Sequence, residues 1–175
     1  MTAPPLASPG PTEAGYREPS ARERLAILRA TRSVAILGMS TNPSRASHFV
    51  ATYLLSSSCS FERIWFVNLK GGDVFGRPVY PSLAALPEAP ELVDVFRRTE
   101  DLPAVAEEVV AVEGTRTFWA QLGLYSTEAA RIVEAAGRVA VMNRCLKIEH
   151  ARFAGGLHLA GFDTGVISSR RRRDL

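Results

Sequence analysis

Three short segments carry the residue types that can hold a charged ligand. The first is Gly38-Met-Ser-Thr-Asn-Pro-Ser-Arg45, where a glycine permits a tight turn, Ser40 and Thr41 offer hydroxyl donors and Arg45 adds a positive charge. If a helix follows this loop, its free backbone N–H groups attract an anion, and a phosphate fits there. The same residues also admit a plainer use, with Ser44 capping the helix and Arg45 standing in solvent. Only the first glycine of the G-x-G-x-x-G pattern is present, so the loop is not the dinucleotide fingerprint.

The second segment is Val67-Asn-Leu-Lys70-Gly-Gly. NAD-binding domains place a carboxylate at the end of their second strand to hold the ribose 2′-hydroxyl. Here Lys70 would instead attract a phosphate on the ribose, which argues against NAD. NADP, with a 2′-phosphate, and coenzyme A, with a 3′-phosphate, both survive this test. An exposed loop lysine beside a turn-forming Asn68 is the alternative. In the third segment, Asp94-Val-Phe-Arg-Arg-Thr-Glu-Asp101, Phe96 can stack on an adenine and Arg97 or Arg98 can reach a phosphate. Asp94 lies within an apolar run; if buried it needs a partner, and pairing with an Arg or a backbone N–H is expected ahead of catalysis.

These segments acquire meaning from the elements around them. Ser33–Gly38, Ile64–Val67, Leu92–Phe96, Thr117–Gln121 and Arg138–Met142 are short apolar runs that read as buried strands. Gly76–Tyr80 reads as a further short strand whose Pro78 suits an edge. Helices are expected from a Ser20/Glu23 capping box, over 44–57, from Thr99 or Asp101 to Val112, from Ser126 to Ala136, and over Cys145–Ala154. Strands that are apolar on both faces and separated by helices require right-handed crossovers, hence a parallel sheet covered on both sides. The expected architecture is therefore α/β: a doubly wound, Rossmann-like parallel sheet in three layers (α/β/α), with strand order 3-2-1-4-5-6. Its default ligand site is the crevice between the carboxyl ends of the first and fourth strands.

Composition bounds the rest. At 175 residues, 46% hydrophobic and 22% charged, the chain suits one domain. We divide it into a Pro-rich leader over 1–19, a nucleotide-binding domain over 20–155 and a tail over 156–175 with a basic end. The net charge of +3 is concentrated in Arg170 to Arg173; without residues 170–175 the chain holds 17 basic and 17 acidic residues, so no nucleic-acid surface is implied. No apolar run is long enough to span a bilayer and no secretory signal is visible, so a cytoplasmic location without membrane contact is expected. Cys59 and Cys145 lack metal-ligand spacing and are expected as reduced thiols. Leu157, Leu159 and Phe162 in the tail offer a surface for a homo-oligomer or for packing back on the domain.

Val-Ala-Ile-Leu-Gly-Met-Ser (34–40), Asn68 with Lys70, Val-Asp-Val-Phe-Arg-Arg (93–98), Trp-Ala-Gln-Leu-Gly (119–123) and Met-Asn-Arg-Cys-Leu-Lys-Ile-Glu-His (142–150) together resemble the stand-alone CoA-binding domain family. That family is similar to the nucleotide-binding domain of the succinyl-CoA synthetase alpha chain, and the resemblance spans roughly residues 25–153. It implies coenzyme A or an acyl-CoA as the ligand, with the diphosphate at Gly38, Met39 and Ser40, aided by Arg45 and Ser47. The adenosine end would lie over Asn68, Leu69 and Lys70 and face Phe96 and Arg97. Two positions depart from the family: Leu69 stands where Pro is usual, and Asn143 where Asp precedes Arg144.

Helical spacing would let Cys145 approach Glu149 and, less directly, His150, as a thiol with a base; a structural cluster is the competing reading. No catalytic residue is assigned. The resulting expectation is a non-catalytic binding, sensing or accessory protein, with an NADP-binding reductase or an acyl-CoA-dependent enzyme as the alternative.

Overall fold

The computed structural model describes residues 16–154; the remainder of the expected leader and all of the expected tail, including Arg170 to Arg173, lie outside the described residues. Elements follow one another as α1 (Ala21–Ala30), β1 (Ser33–Leu37), α2 (Ala46–Leu54), β2 (Arg63–Val67), β3 (Asp73–Val74), β4 (Arg77–Tyr80), β5 (Leu92–Val95), α3 (Leu102–Ala111), β6 (Thr117–Ala120), α4 (Thr127–Ala135), β7 (Val139–Val141) and α5 (Leu146–Ala154). The sheet order is β3-β4-β2-β1-β5-β6-β7, and every pair is parallel except β3 with β4. Leaving β3 aside, this is the doubly wound order expected from the sequence. The chain leaves β1 toward one edge and β5 toward the other, so the crevice beyond their carboxyl ends is the topological switch point.

Alternation along each strand divides the core between two faces. Ala35, Leu37, Val93, Val95, Phe118 and Ala120 pack with Val105, Val109, Ala130 and Val133 of α3 and α4. Val34, Ile36, Leu92, Trp119 and Val141 pack with Leu28 of α1, Val50 and Leu54 of α2 and Leu146 of α5. Helices thus cover both faces, and Trp119 Nε1 donates to Arg144 O at 2.8 Å to pin the segment entering α5.

The hairpin strand β3 was not expected. It sits between turns in which Gly71, Gly72, Phe75 and Gly76 all have positive φ, and two residues are too few to leave a periodic signal. Its presence moves the strand carrying Pro78 off the edge. Proline survives there because β4 divides its pairing: Val79 and Tyr80 match β2, whereas Arg77 and Pro78 match β3, so the β2 ladder asks nothing of Pro78.

The Ser20/Glu23 capping box forms at the start of α1, with Ser20 N donating to Glu23 at 2.7 Å. Ahead of it, Tyr16 Oη donates to Ala140 O at 3.0 Å and accepts from Met142 N at 3.2 Å, which ties residue 16 to the end of β7. Among the described residues no helix is long and apolar enough to cross a membrane, and Cys59 and Cys145 are free thiols.

Candidate functional site

At the switch point the chain is drawn tight. Gly38 ends β1 with φ +93°, and a Cβ at that position would overlap the carbonyl oxygen of Phe96. Phe96 N donates to Leu37 O at 2.8 Å, so the ends of β1 and β5 are in direct contact. The glycine is needed for that approach of two backbones.

Beyond Gly38 the loop folds on itself. Gly38 N and Met39 N both donate to Val67 O, at 2.8 and 3.1 Å, and Ser40 N donates to Ser47 Oγ at 3.1 Å. The three amides nearest the loop's start, where the resemblance puts a diphosphate, are therefore engaged within the protein. Ser40 Oγ accepts from Asn42 N and Asn42 Oδ1 from Ser44 N, a pair of side-chain turns that carries the chain into α2. Arg45 is the N-cap residue of α2 and makes no side-chain cap; no protein acceptor among the described residues meets the N–H of Ala46 or Ser47. Donors for an anion are thus displaced one turn along, to the helix start itself.

Asn68 joins the loops after β1 and β2. Its Nδ2 donates to Met39 O at 2.6 Å and its Oδ1 accepts from Lys70 N at 3.1 Å. This side chain makes the turn and also holds the two loops together.

One cavity of about 760 Å³ opens at this point, a volume ordinary for a cofactor site. Gly38, Ser40, Arg45, Ser47, Asn68, Phe96 and Arg97 line it, seven of the ten residues expected from sequence. Met39 is buried, whereas Leu69 and Lys70 are exposed on the turn after β2, and none of these three lines the cavity. The ligand contacts expected from sequence do not include the opposite wall: Phe49 of α2, Gln121, Leu122 and Leu124 after β6, and Cys145, Lys147 and Ile148 at the start of α5, of which Cys145 is expected only as a thiol. The signal for that wall was topological, since ligands in this fold meet loops following several strands.

The cavity is cationic without being neutralised from inside. Arg45, Arg97 and Lys147 have no carboxylate partner among the described residues, and Arg97 Nε is buried with no acceptor. Arg98, the other candidate phosphate contact, is instead held by Asp101 at 3.1 and 3.2 Å.

Asp94 is fully buried, but its partner is neither an arginine nor a backbone amide. Gln121 Nε2 donates to its Oδ1 at 2.7 Å, and Oδ2 has no partner. Burial raises the carboxyl to a pKa of about 8, with the Gln121 bond offsetting only part of the effect.

Cys145, Glu149 and His150 do not converge. Glu149 accepts from Arg24 Nε at 2.8 Å in a buried ion pair, and His150 bonds Tyr53 Oη and Ser60 Oγ, both at 2.9 Å. Burial depresses the His150 pKa and raises that of the Cys145 thiol, with nearby Asp94 adding to the latter. Glu149 and His150 dock α5 against α1 and α2.

A family model described as a CoA binding domain matches residues 32–151. This chain belongs to the CoA-binding domain family. YneT of Bacillus subtilis (strain 168) is 35% identical over 135 residues, covering 77% of this chain and 97% of YneT. A solved structure from Thermus thermophilus is 32% identical with a TM-score of 0.69, covering 76% of this chain and 98% of that one. A hypothetical protein from Pyrococcus horikoshii OT3 is 29% identical with a TM-score of 0.71, covering 80% and 98%. Membership of the CoA-binding domain family supports a ligand related to coenzyme A. The cavity combines cations without carboxylate partners among the described residues, open helix amides and an apolar wall.

Proposed function

We propose that this chain binds coenzyme A or an acyl-CoA as a non-catalytic binding, sensing or accessory protein. The observation that carries the reading is the group Arg45, Arg97 and Lys147 around one cavity, without carboxylate partners among the described residues and beside the open amides of Ala46 and Ser47. A polyanion satisfies all of these together. In this reading Arg45 and the start of α2 take the diphosphate, and Gly38, Met39, Ser40 and Ser47 shape the loop that presents them. Phe96 packs on the adenine, Arg97 meets a phosphate, and Asn68, Leu69 and Lys70 bound the adenosine end. Lys70, exposed on the turn after β2, serves the ribose 3′-phosphate. The absence of convergence among Cys145, Glu149 and His150 favours binding over thiol chemistry.

Isothermal titration with coenzyme A, dephospho-coenzyme A and NADP tests the proposal. Saturable heat with coenzyme A, weaker binding of the dephospho form and a smaller gap between the two in Lys70→Ala are expected. Binding of NADP but not coenzyme A would refute it and point to the reductase alternative.

A further inference from the structure

The proposed ligand carries, beyond its phosphates, a long arm with two amides that ends in a thiol or thioester. Binding the phosphates accounts for the cationic end of the cavity. It leaves unexplained the opposite wall, where a buried acid holds a carboxamide against the cavity. Asp94 is wholly inaccessible on the face of β5 that packs with α2 and α5, where Ile36, Leu92, Trp119 and Val141 surround the sheet. An unpartnered oxygen in such a place is costly unless the group has work to do.

What Asp94 does in this structure is fix Gln121. The carboxamide is 5% exposed and lines the cavity, and its Nε2 is committed to Asp94 Oδ1 at 2.7 Å. Its Oε1, which meets no protein donor among the described residues, is thereby held in place as a hydrogen-bond acceptor for the cavity. An acceptor held rigidly on a wall recognises an N–H, and it loses little entropy on binding because its rotamer is already set. Apolar surface flanks it: Phe49, Leu122 and Ile148 line the same cavity although they are 60%, 67% and 40% exposed. Apolar patches of this kind mark binding surfaces. A chain of methylenes interrupted by amides fits a wall that is apolar except for one aimed acceptor.

Building on the coenzyme A reading, we propose that Gln121, positioned by Asp94, is the residue that accepts a hydrogen bond from an amide N–H of the ligand's pantetheine arm. Gln121 thereby selects coenzyme A and its thioesters over nucleotides that lack the arm.

The test compares coenzyme A with 3′-phosphoadenosine 5′-diphosphate, which carries all the phosphates of the nucleotide half and no arm. Gln121→Met preserves length and removes the amide; it should weaken coenzyme A about tenfold, the loss of one well-placed hydrogen bond, and leave the nucleotide unchanged. Asp94→Leu should weaken coenzyme A in the same selective way by releasing Gln121. Asp94→Asn, whose Oδ1 can still accept from Gln121, should restore affinity to within about twofold of the parent, and the loss in Asp94→Leu should fall on coenzyme A and not on the nucleotide, a selectivity that a merely packing role for Asp94 does not predict. Coenzyme A affinity unchanged in Gln121→Met overturns the inference alone, as does an equal loss for both ligands. Failure of the parent protein to bind either compound overturns the coenzyme A reading and this inference with it.

Discussion

Replacing Asp94 by Asn should reshape how the stability of this protein depends on pH. The carboxyl titrates near 3.8 when unfolded and at about 8 when folded, because the folded chain removes it from water and supplies a single hydrogen bond. Below the lower value it is neutral in both states and costs nothing. Between the two, the unfolded chain is ionised while the folded one must keep its proton, so stability falls as pH rises, by about 1.4 kcal/mol per unit. From pH 5 to pH 7 the loss attributable to Asp94 is thus about 3 kcal/mol. Asparagine has nearly the same shape, does not titrate and still accepts from Gln121. The assay is urea unfolding of parent and Asp94→Asn at pH 5, 6, 7 and 8, read as the difference in unfolding free energy between them at each pH. Groups common to both proteins cancel in that difference. It should shift toward the variant by about 3 kcal/mol between pH 5 and 7. A difference that stays flat over this range would show that the carboxyl has an ordinary pKa and would refute the account of its burial.

Two other perturbations probe the frame of the site. Gly38→Ala forces a Cβ into the Phe96 carbonyl at a left-handed φ, so the ends of β1 and β5 must part; a loss of more than about 2 kcal/mol in thermal or urea unfolding is expected, together with loss of coenzyme A binding. Arg24→Met removes the nearer cation from an ion pair whose side chains are 4% and 5% exposed, leaving buried Glu149 only the more distant Arg152 at 3.9 Å; urea unfolding should register up to about 3–5 kcal/mol of destabilisation, and the double variant Arg24→Met/Glu149→Leu should recover part of it.

Much of this protein can be read from local sequence. Apolar runs of four or five residues, alternating with capped amphipathic segments, require a covered parallel sheet, and a covered parallel sheet with right-handed crossovers leaves few possible strand orders. That is why the switch point, and with it Gly38, Ser40, Arg45, Asn68, Phe96 and Arg97, is legible in the sequence as one place. The limits of the reading are equally physical. Which amides remain open depends on Val67 O, nearly thirty residues from Gly38 in sequence, and no local propensity reports that its carbonyl takes both Gly38 N and Met39 N. The partner of Asp94 comes from the residue just after the neighbouring strand β6, twenty-seven positions on, so the need for a partner was evident and its identity was not. The far wall of the cavity is assembled from α2, the loop after β6 and the start of α5, and only their docking on the sheet brings Phe49, Gln121 and Lys147 to one surface. Sequence alone determined the layers and their order, because backbone hydrogen bonding and apolar burial act on short stretches. Tertiary structure decided which donors, cations and acceptors face the cavity, because that depends on what distant segments already satisfy.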